Sequence, residues 1–258
     1  MLGAIIGDIV GSRFEFNNTN STDFELFTDE CSYTDDTICT VAIADAILNK
    51  KSYKDSLLKW CRKYPNPKGA YGASFARWIH EKDPQPYNSY GNGSAMRVSP
   101  VGGVFDNYQE VLKQAELSAV VSHNHPEGIK GAQCIANLIF HLRTGQIDKD
   151  SVKRRIEHYF GYEILSVKRI RKMNGFNETC QITVPQAISC FLEANDFEET
   201  IRLAVSIGGD SDTIAAIAGS IAESYYPIPE NIKNQALAFI PGDMRIIVDQ
   251  FYNTIQNG

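Results

Sequence analysis

The chain has 258 residues, of which 43% are hydrophobic and 22% are charged, and its formal net charge is −6. These values are typical of a globular protein with a substantial core, and the negative charge argues against a surface that grips nucleic-acid phosphates along its length. No apolar stretch reaches the roughly 18 residues of a membrane span, and the first eight residues lack the basic start of a signal peptide. We therefore expect a cytoplasmic protein without a membrane partner.

Apolar residues recur at helical spacing through most of the chain. A first helix over residues 3–12 carries glycine at every fourth position, so that another helix can approach it closely, and residues 13–33 have the composition of a loop. Further helices are predicted over 36–49, 52–63, 70–81, 107–122, 127–143, 148–160, 183–194, 196–206, 212–224, 231–238 and 243–256. A modest strand pattern occurs only at 163–168, and no linker divides the chain. We predict one all-α domain over residues 1–258, with six free cysteines because none forms a Cys-x-x-Cys pair.

A small acidic cassette occurs twice. Residues 34–38 read Thr-Asp-Asp-Thr-Ile, residues 210–214 read Asp-Ser-Asp-Thr-Ile, and an apolar, helix-like run follows each. Aspartate and threonine are common helix N-caps, but a cap needs only one oxygen, and paired carboxylates repel each other unless a cation neutralises them. Oxygen-rich clusters of this kind suit Mg²⁺ or Mn²⁺. If the cassettes meet in space, they make a site for two metal ions.

Other polar stretches are individually weaker signals. Glu15 is either a surface carboxylate or a further metal ligand, and the Gly-Asn-Gly-Ser-Ala-Met-Arg segment at 91–97 is either a turn or a loop whose N–H groups face a phosphate. The two histidines in residues 122–127 lack a third ligand at a zinc-like spacing, which favours hydrogen bonding to a ligand or to the backbone. Residues 168–172, Lys-Arg-Ile-Arg-Lys, form the one dense basic cluster, for which a solvated face is favoured over a nucleic-acid contact.

Taken in order, these motifs strongly resemble the ADP-ribosylglycohydrolases of the dinitrogenase-reductase-activating and ADP-ribosyl-acceptor hydrolase types. The resemblance runs from about residue 2 to residue 226 and includes the segment from Gly7 to Glu15. It implies a single compact orthogonal helical domain, a binuclear Mg²⁺ or Mn²⁺ site, and hydrolysis of the bond between ADP-ribose and an acceptor.

The resemblance also assigns roles to residues of this chain. The implied metal ligands are Thr34, Asp35, Asp36, Asp210, Asp212, Thr213 and the mobile Glu15. The implied catalytic residues are Glu15, Asp35 and Asp212. The implied substrate-binding residues are Tyr71, Gly72, Gly91, Asn92, Gly93, Ser94, Met96 and His123.

The acceptor is less sharply indicated. Residues 69–74, Gly-Ala-Tyr-Gly-Ala-Ser, carry no acid and look closer to the hydrolases of serine-linked and O-acetyl ADP-ribose, whereas Asn-His-Pro after His123 resembles the bacterial arginine-type enzyme. We expect an O-linked substrate, slightly favoured over arginine, on a protein or a small ADP-ribose conjugate. ADP-ribosylated nucleic acid stays open as a substrate, and the lack of an apolar heptad seam predicts a monomer. The alternatives are a non-catalytic ADP-ribose or nucleotide-binding protein and, less favoured, an all-α metal-dependent nucleotide phosphohydrolase.

Overall fold

The computed structural model describes residues 1–257, which form fifteen helices and, within that range, no strand. The helices are α1 Leu2–Gly11, α2 Asp35–Leu48, α3 Tyr53–Lys63, α4 Ala73–His80, α5 Gly93–Met96, α6 Ser99–Val104, α7 Tyr108–Val120, α8 Pro126–Arg143, α9 Lys149–Phe160, α10 Val167–Met173, α11 Cys180–Glu193, α12 Phe197–Ser206, α13 Ser211–Ala222, α14 Glu230–Phe239 and α15 Gly242–Asn257. The prediction of one all-α domain is confirmed. None of these helices is long and apolar enough to cross a membrane.

Helices α1 and α13 form the centre of the core, and glycine lets them approach closely. Every residue of both helices is buried. A Cβ atom at Gly7 would lie 2.0 Å from the carbonyl oxygen of Ala215, and Gly3 makes a similarly close approach to the α13 backbone. The predicted glycine groove is therefore confirmed. Its consequence is that Asp8, in the middle of α1, lies near Asp212, at the start of α13.

The other helices surround this pair and share one continuous hydrophobic core. Helices α2, α11 and α12 pack against α1 or α13, and α8 packs against α5, α6 and α7. All six cysteines are free and buried, as predicted. The first turns of α2 and α13 thus come from segments far apart in sequence but lie at the same end of the core.

The structure differs from the predicted elements mainly where helices are short. Helices α5, α6 and α10 were not predicted, because fewer than two turns give too few apolar repeats to establish a period. The strand suggested by the pattern at 163–168 is wrong, because helix α10 begins at Val167 within that stretch. The Ser166 hydroxyl caps this helix by accepting the Arg169 N–H. Helix α11 begins at Cys180, three residues before its predicted start, and Pro185 lies inside it.

Candidate active site

The two acidic cassettes are in contact. Thr34 caps α2 by accepting the N–H of Asp36, and Asp210 holds the N-cap position of α13. The Thr213 hydroxyl of the second cassette donates to Asp36 Oδ2 of the first at 3.0 Å. The condition set in the sequence analysis, that the cassettes meet in space, is therefore met. The macrodipoles of two helix N-termini therefore point at one cluster of carboxylates, which favours negative charge there.

Asp8 fastens the first cassette to α1. It is fully buried, and Thr34 donates to it through both its hydroxyl (2.7 Å) and its N–H (2.9 Å). The N–H and hydroxyl of Thr37 donate to the same carboxylate. Four donors occupy this carboxylate, so its main task is to position the first turn of α2. Sequence reasoning missed this role, although an aspartate inside an apolar, glycine-rich helix was the available signal.

Three carboxylate oxygens in the cluster have no hydrogen-bond partner although they are buried: Asp36 Oδ1, Asp212 Oδ1 and Glu15 Oε2. The carboxylates form two groups, one of Asp8, Asp36 and Asp212 and one of Glu15, Asp210 and Asp212; in each group the facing oxygens lie within 4.8 Å of one another. Buried acceptors without donors are costly unless something else satisfies them. Asp212 belongs to both groups, so the arrangement fits two hard divalent cations that share one ligand.

Crowding of negative charge raises the pKa values of these acids. Burial, followed by repulsion from the other aspartates, raises the pKa of Asp36 and Asp212 well above the usual range. Burial and the charges of Asp212 and Asp8 raise the pKa of Glu15 to about 8, and burial raises that of Asp210 to about 7. The cluster thus attracts positive charge, as protons or as a metal cation.

The remaining predicted metal ligands lie beside this cluster. Asp35 lines the adjoining cavity but falls outside both carboxylate groups, and burial with repulsion from Asp212 raises its pKa. Thr34 is buried behind the cavity wall, where Asp8 and the N–H of Asp36 engage its hydroxyl. Thr213 lines the cavity. Their metal-binding roles stay predictions.

A cavity of about 790 Å³ extends from the carboxylate cluster. Seven of the eight predicted substrate-binding residues line it: Tyr71, Gly72, Gly91, Asn92, Gly93, Met96 and His123. The eighth, Ser94, is fully buried, and its hydroxyl donates to the Gly128 carbonyl at 2.7 Å. Asn92 ties the loop at 91–93 to the carboxylate end of the cavity, since its Nδ2 donates to Asp210 Oδ2 at 2.7 Å. The cavity therefore joins a carboxylate end to a glycine-rich wall.

His123 is set up as a neutral hydrogen-bond donor. Burial and the charge of Arg97 keep the pKa of His123 well below its usual range. Arg97 donates to the Ser122 hydroxyl at 3.0 Å, and that hydroxyl lies 2.8 Å from His123 Nδ1. This arrangement is compatible with the Ser122 hydroxyl donating to Nδ1, the tautomer in which Nε2 carries the histidine proton. A Cβ atom at Gly93 would lie 3.0 Å from Nε2, so glycine leaves this donor room beside the loop.

Two asparagines hold the loop that precedes the second cassette. Gly208 and Gly209 adopt positive φ angles of 69° and 80°, which favour glycine. Asn174 donates to the carbonyl of Gly208, and Asn18 donates to the carbonyl and accepts the N–H of Gly209. Asn18 lies just after Glu15, so it couples the segment that carries Glu15 to the loop that aims Asp210. Sequence reasoning singled out neither asparagine, and a lone asparagine in a loop carries no such signal.

Comparison with known proteins identifies the family of this fold. The family model described as ADP-ribosylglycohydrolase matches residues 1–257. The chain belongs to the ADP-ribosylglycohydrolase family. The resemblance read from the short motifs is thereby confirmed over almost the whole chain.

Relatives within the ADP-ribosylglycohydrolases carry hydrolase names. The chain is 26% identical to the ADP-ribosylhydrolase ARH3 of Mus musculus, over 95% of this chain and 88% of that protein. It is 25% identical to the ADP-ribosylarginine hydrolase Tri1 of Pseudomonas putida, over 88% of this chain and 70% of that protein. A solved structure called "ADP-ribosylglycohydrolase-related protein complex" superposes with a TM-score of 0.72 at 24% identity, covering 98% of this chain and 97% of that chain. This last likeness shows the fold.

Proposed function

We propose that the protein is a metal-dependent hydrolase that releases ADP-ribose from an acceptor. The unpartnered oxygens of Asp36, Asp212 and Glu15 carry this proposal, because they converge at one end of a cavity large enough for a nucleotide-sized ligand. Family membership and the hydrolase names of the relatives support the reaction class.

Two Mg²⁺ or Mn²⁺ ions are the cofactors that this donor set fits. The residues proposed to hold them are Thr34, Asp35, Asp36, Asp210, Asp212, Thr213 and Glu15. Bound divalent cations supply Lewis acidity, which makes nearby water a stronger acid and stabilises negative charge. Asp8 keeps its own hydrogen bonds and holds the first turn of α2 in place.

The protein's own side chains contribute charge and proton transfer. Cleavage of a glycosidic bond builds positive charge on the ribose ring, and the carboxylates of Asp35 and Asp212 face the space where that charge develops. Glu15 Oε2 has no hydrogen-bond donor and is available to take the proton of an attacking water. We propose Glu15, Asp35 and Asp212 as the catalytic residues.

The glycine-rich wall is proposed to hold the ADP part of the ligand. Gly91, Asn92 and Gly93 line the cavity, and Gly93 is the first residue of α5. His123 Nε2 faces this segment, and in the tautomer that carries the proton on Nε2 it donates to a diphosphate oxygen.

The acceptor is proposed to be O-linked, such as serine or an acetyl group, with arginine as the competing linkage. The wall formed by Gly69 to Ser74 carries no acidic side chain that would pair with a guanidinium. The Tri1 relative is named for arginine, so both linkages belong in the test.

The test measures ADP-ribose release from serine-linked and arginine-linked ADP-ribosyl peptides with Mg²⁺, with Mn²⁺ and with EDTA. We expect release with metal only, and a loss of at least about a hundredfold in Asp212→Asn, because one residue serves both carboxylate groups. Asp249→Asn, an exposed aspartate on α15, is the matched control. ADP-ribose binding without release from any conjugate would instead support a binding protein of this fold.

A further inference from the structure

A second cavity, of about 390 Å³, lies between α10 and α11 outside the proposed catalytic cleft. Its apolar lining comes from both helices and from the segments next to them. The apolar residues that line the cavity include Leu165, Ile170, Met173, Ile182 and Pro185. Glu163 is the single acidic side chain in its lining. The proposed reaction makes no use of this groove.

The groove is continuous with the carboxylate end of the cleft. Phe176 and Asn177 line both cavities. The ring of Phe176 stacks on that of Phe16, with 6.0 Å between centroids, and Phe16 directly follows Glu15 in the chain. A polypeptide attached to a ribose at the carboxylate end would therefore leave the cleft next to the groove.

This part of the surface is unusually apolar for a solvent-facing one. Phe16 is 75% exposed, Met173 66%, Phe176 50% and Ile182 40%. The four side chains are neighbours, since Phe16 stacks on Phe176 and the other three line the groove. Exposed apolar patches next to polar residues commonly mark sites where another chain binds.

Arg169, in the basic cluster at 168–172, supplies a positive charge at the edge of the same surface. Lys168, Arg169 and Lys172 on α10 are exposed, and in the described residues none of them lies within 4.0 Å of a carboxylate. Arg169 lies one helical turn before Met173, so a positive charge stands beside the groove wall. In a chain with a net charge of −6, this local excess of positive charge selects for acidic partners.

We propose that the groove between α10 and α11 binds the polypeptide that flanks the ADP-ribosylated residue of a protein substrate. An apolar side chain of that polypeptide sits against Met173, and an acidic side chain lies beside Arg169. The inference rests on the proposed function, because ADP-ribose in the cleft is what brings the polypeptide to the groove. It predicts that the protein prefers modified sites with acidic and apolar neighbours over small conjugates.

The first experiment compares two substrates. The first substrate is a peptide that carries ADP-ribose in the linkage that the wild-type protein hydrolyses, with a leucine between glutamates beside the modified residue. The second substrate carries the same linkage on a single capped amino acid. We expect Arg169→Glu to lower kcat/KM for the peptide about tenfold and Met173→Ser to lower it about threefold. Both variants should hydrolyse the single-residue conjugate within about twofold of wild type.

Matched controls change similar side chains elsewhere. Arg154→Glu reverses one exposed positive charge, and Leu117→Ser removes an exposed leucine from α7; neither residue lines the groove. Both controls should leave both substrates unaffected. Equal losses for peptide and single residue in the groove variants, or no loss for either, would overturn the proposal.

A binding experiment separates this proposal from the proposed function. Fluorescence anisotropy follows a fluorescein-labelled peptide without ADP-ribose, with one leucine between two pairs of glutamates. Wild type should bind it more tightly than either a leucine-to-serine or a glutamate-to-lysine version, and Arg169→Glu should lose that binding. Equal binding of all three peptides, or a dimer in solution that Met173→Ser dissociates, would refute a substrate groove, whether or not the protein releases ADP-ribose.

Discussion

Replacing Gly7 with alanine tests how the core positions the buried carboxylates of the candidate active site. Alanine is the better helix former by about 1 kcal/mol, so local propensity alone predicts a more stable protein. A Cβ atom at this position would lie 2.0 Å from the Ala215 carbonyl oxygen, whereas ordinary contact begins at 3.4 Å. Helices α1 and α13 would have to separate by about 1.4 Å in a close-packed core. Such overpacking costs about 3 kcal/mol or more, so we expect a net loss of about 2 kcal/mol.

The assay is urea unfolding followed by circular dichroism, with ADP-ribose release measured on the same sample. Gly242→Ala is the control, because a Cβ at that glycine meets nothing within 4 Å. The rate of ADP-ribose release by Gly7→Ala should fall by more than the loss of folded protein accounts for. The reason is that the same movement separates Asp8 on α1 from Asp212 on α13. A Gly7→Ala protein as stable as wild type would refute the close packing of the two helices.

Two further perturbations separate structural from functional acids. Asp45 is buried and accepts from Trp60 Nε1 at 2.8 Å and from two lysines, and these bonds outweigh burial and lower its pKa to about 2. The Asp45 carboxylate should therefore contribute about 2 kcal/mol to the free energy of unfolding above about pH 4, and this contribution should be lost as the pH falls towards 2. Asp45→Asn should lower stability at pH 7 and reduce the loss of stability that wild type shows in acid. Burial and the neighbouring acids raise the pKa of Asp212, so its negative charge destabilises the metal-free protein as the pH rises. Asp212→Asn should therefore raise the melting temperature in EDTA. The same variant should abolish the increase in melting temperature that Mn²⁺ produces in wild type. Equal melting shifts with Mn²⁺ in wild type and Asp212→Asn would show that the metal binds elsewhere.

Local patterns predicted the long helices and the contact between the cassettes. The glycine spacing of α1 indicated a close helix partner, and the doubled carboxylates at 34–38 and 210–214 indicated a shared cation site. Both features are periodic or repeated, so they can be read without knowledge of the tertiary fold. Their meeting follows from α13 packing on α1, which the glycines permit.

Features that depend on distant contacts could not be read in this way. Asn18 and Asn174 acquire their role only because the loop at Gly208 and Gly209 lies between them. The short helix α10 depends on its Ser166 cap and on packing against α11, and its seven residues show too little periodicity. The groove between α10 and α11 could not be predicted either, because it forms only where these two helices pack together. The basic cluster at 168–172 could be read directly from the sequence.

The carboxylate cluster is hard to explain as a device for stability alone. Asp8 is satisfied by four donors and would suffice to anchor α2, whereas Asp36, Asp212 and Glu15 each bury an oxygen without a partner. Burying like charges without donors opposes folding, and asparagine or serine would cap the same helices at lower cost. What the arrangement provides is an array of oxygens held by two helix starts, which under the proposed function would give a divalent cation its ligands already in place. On that proposal, the stability lost in the metal-free protein would be recovered when a cation binds.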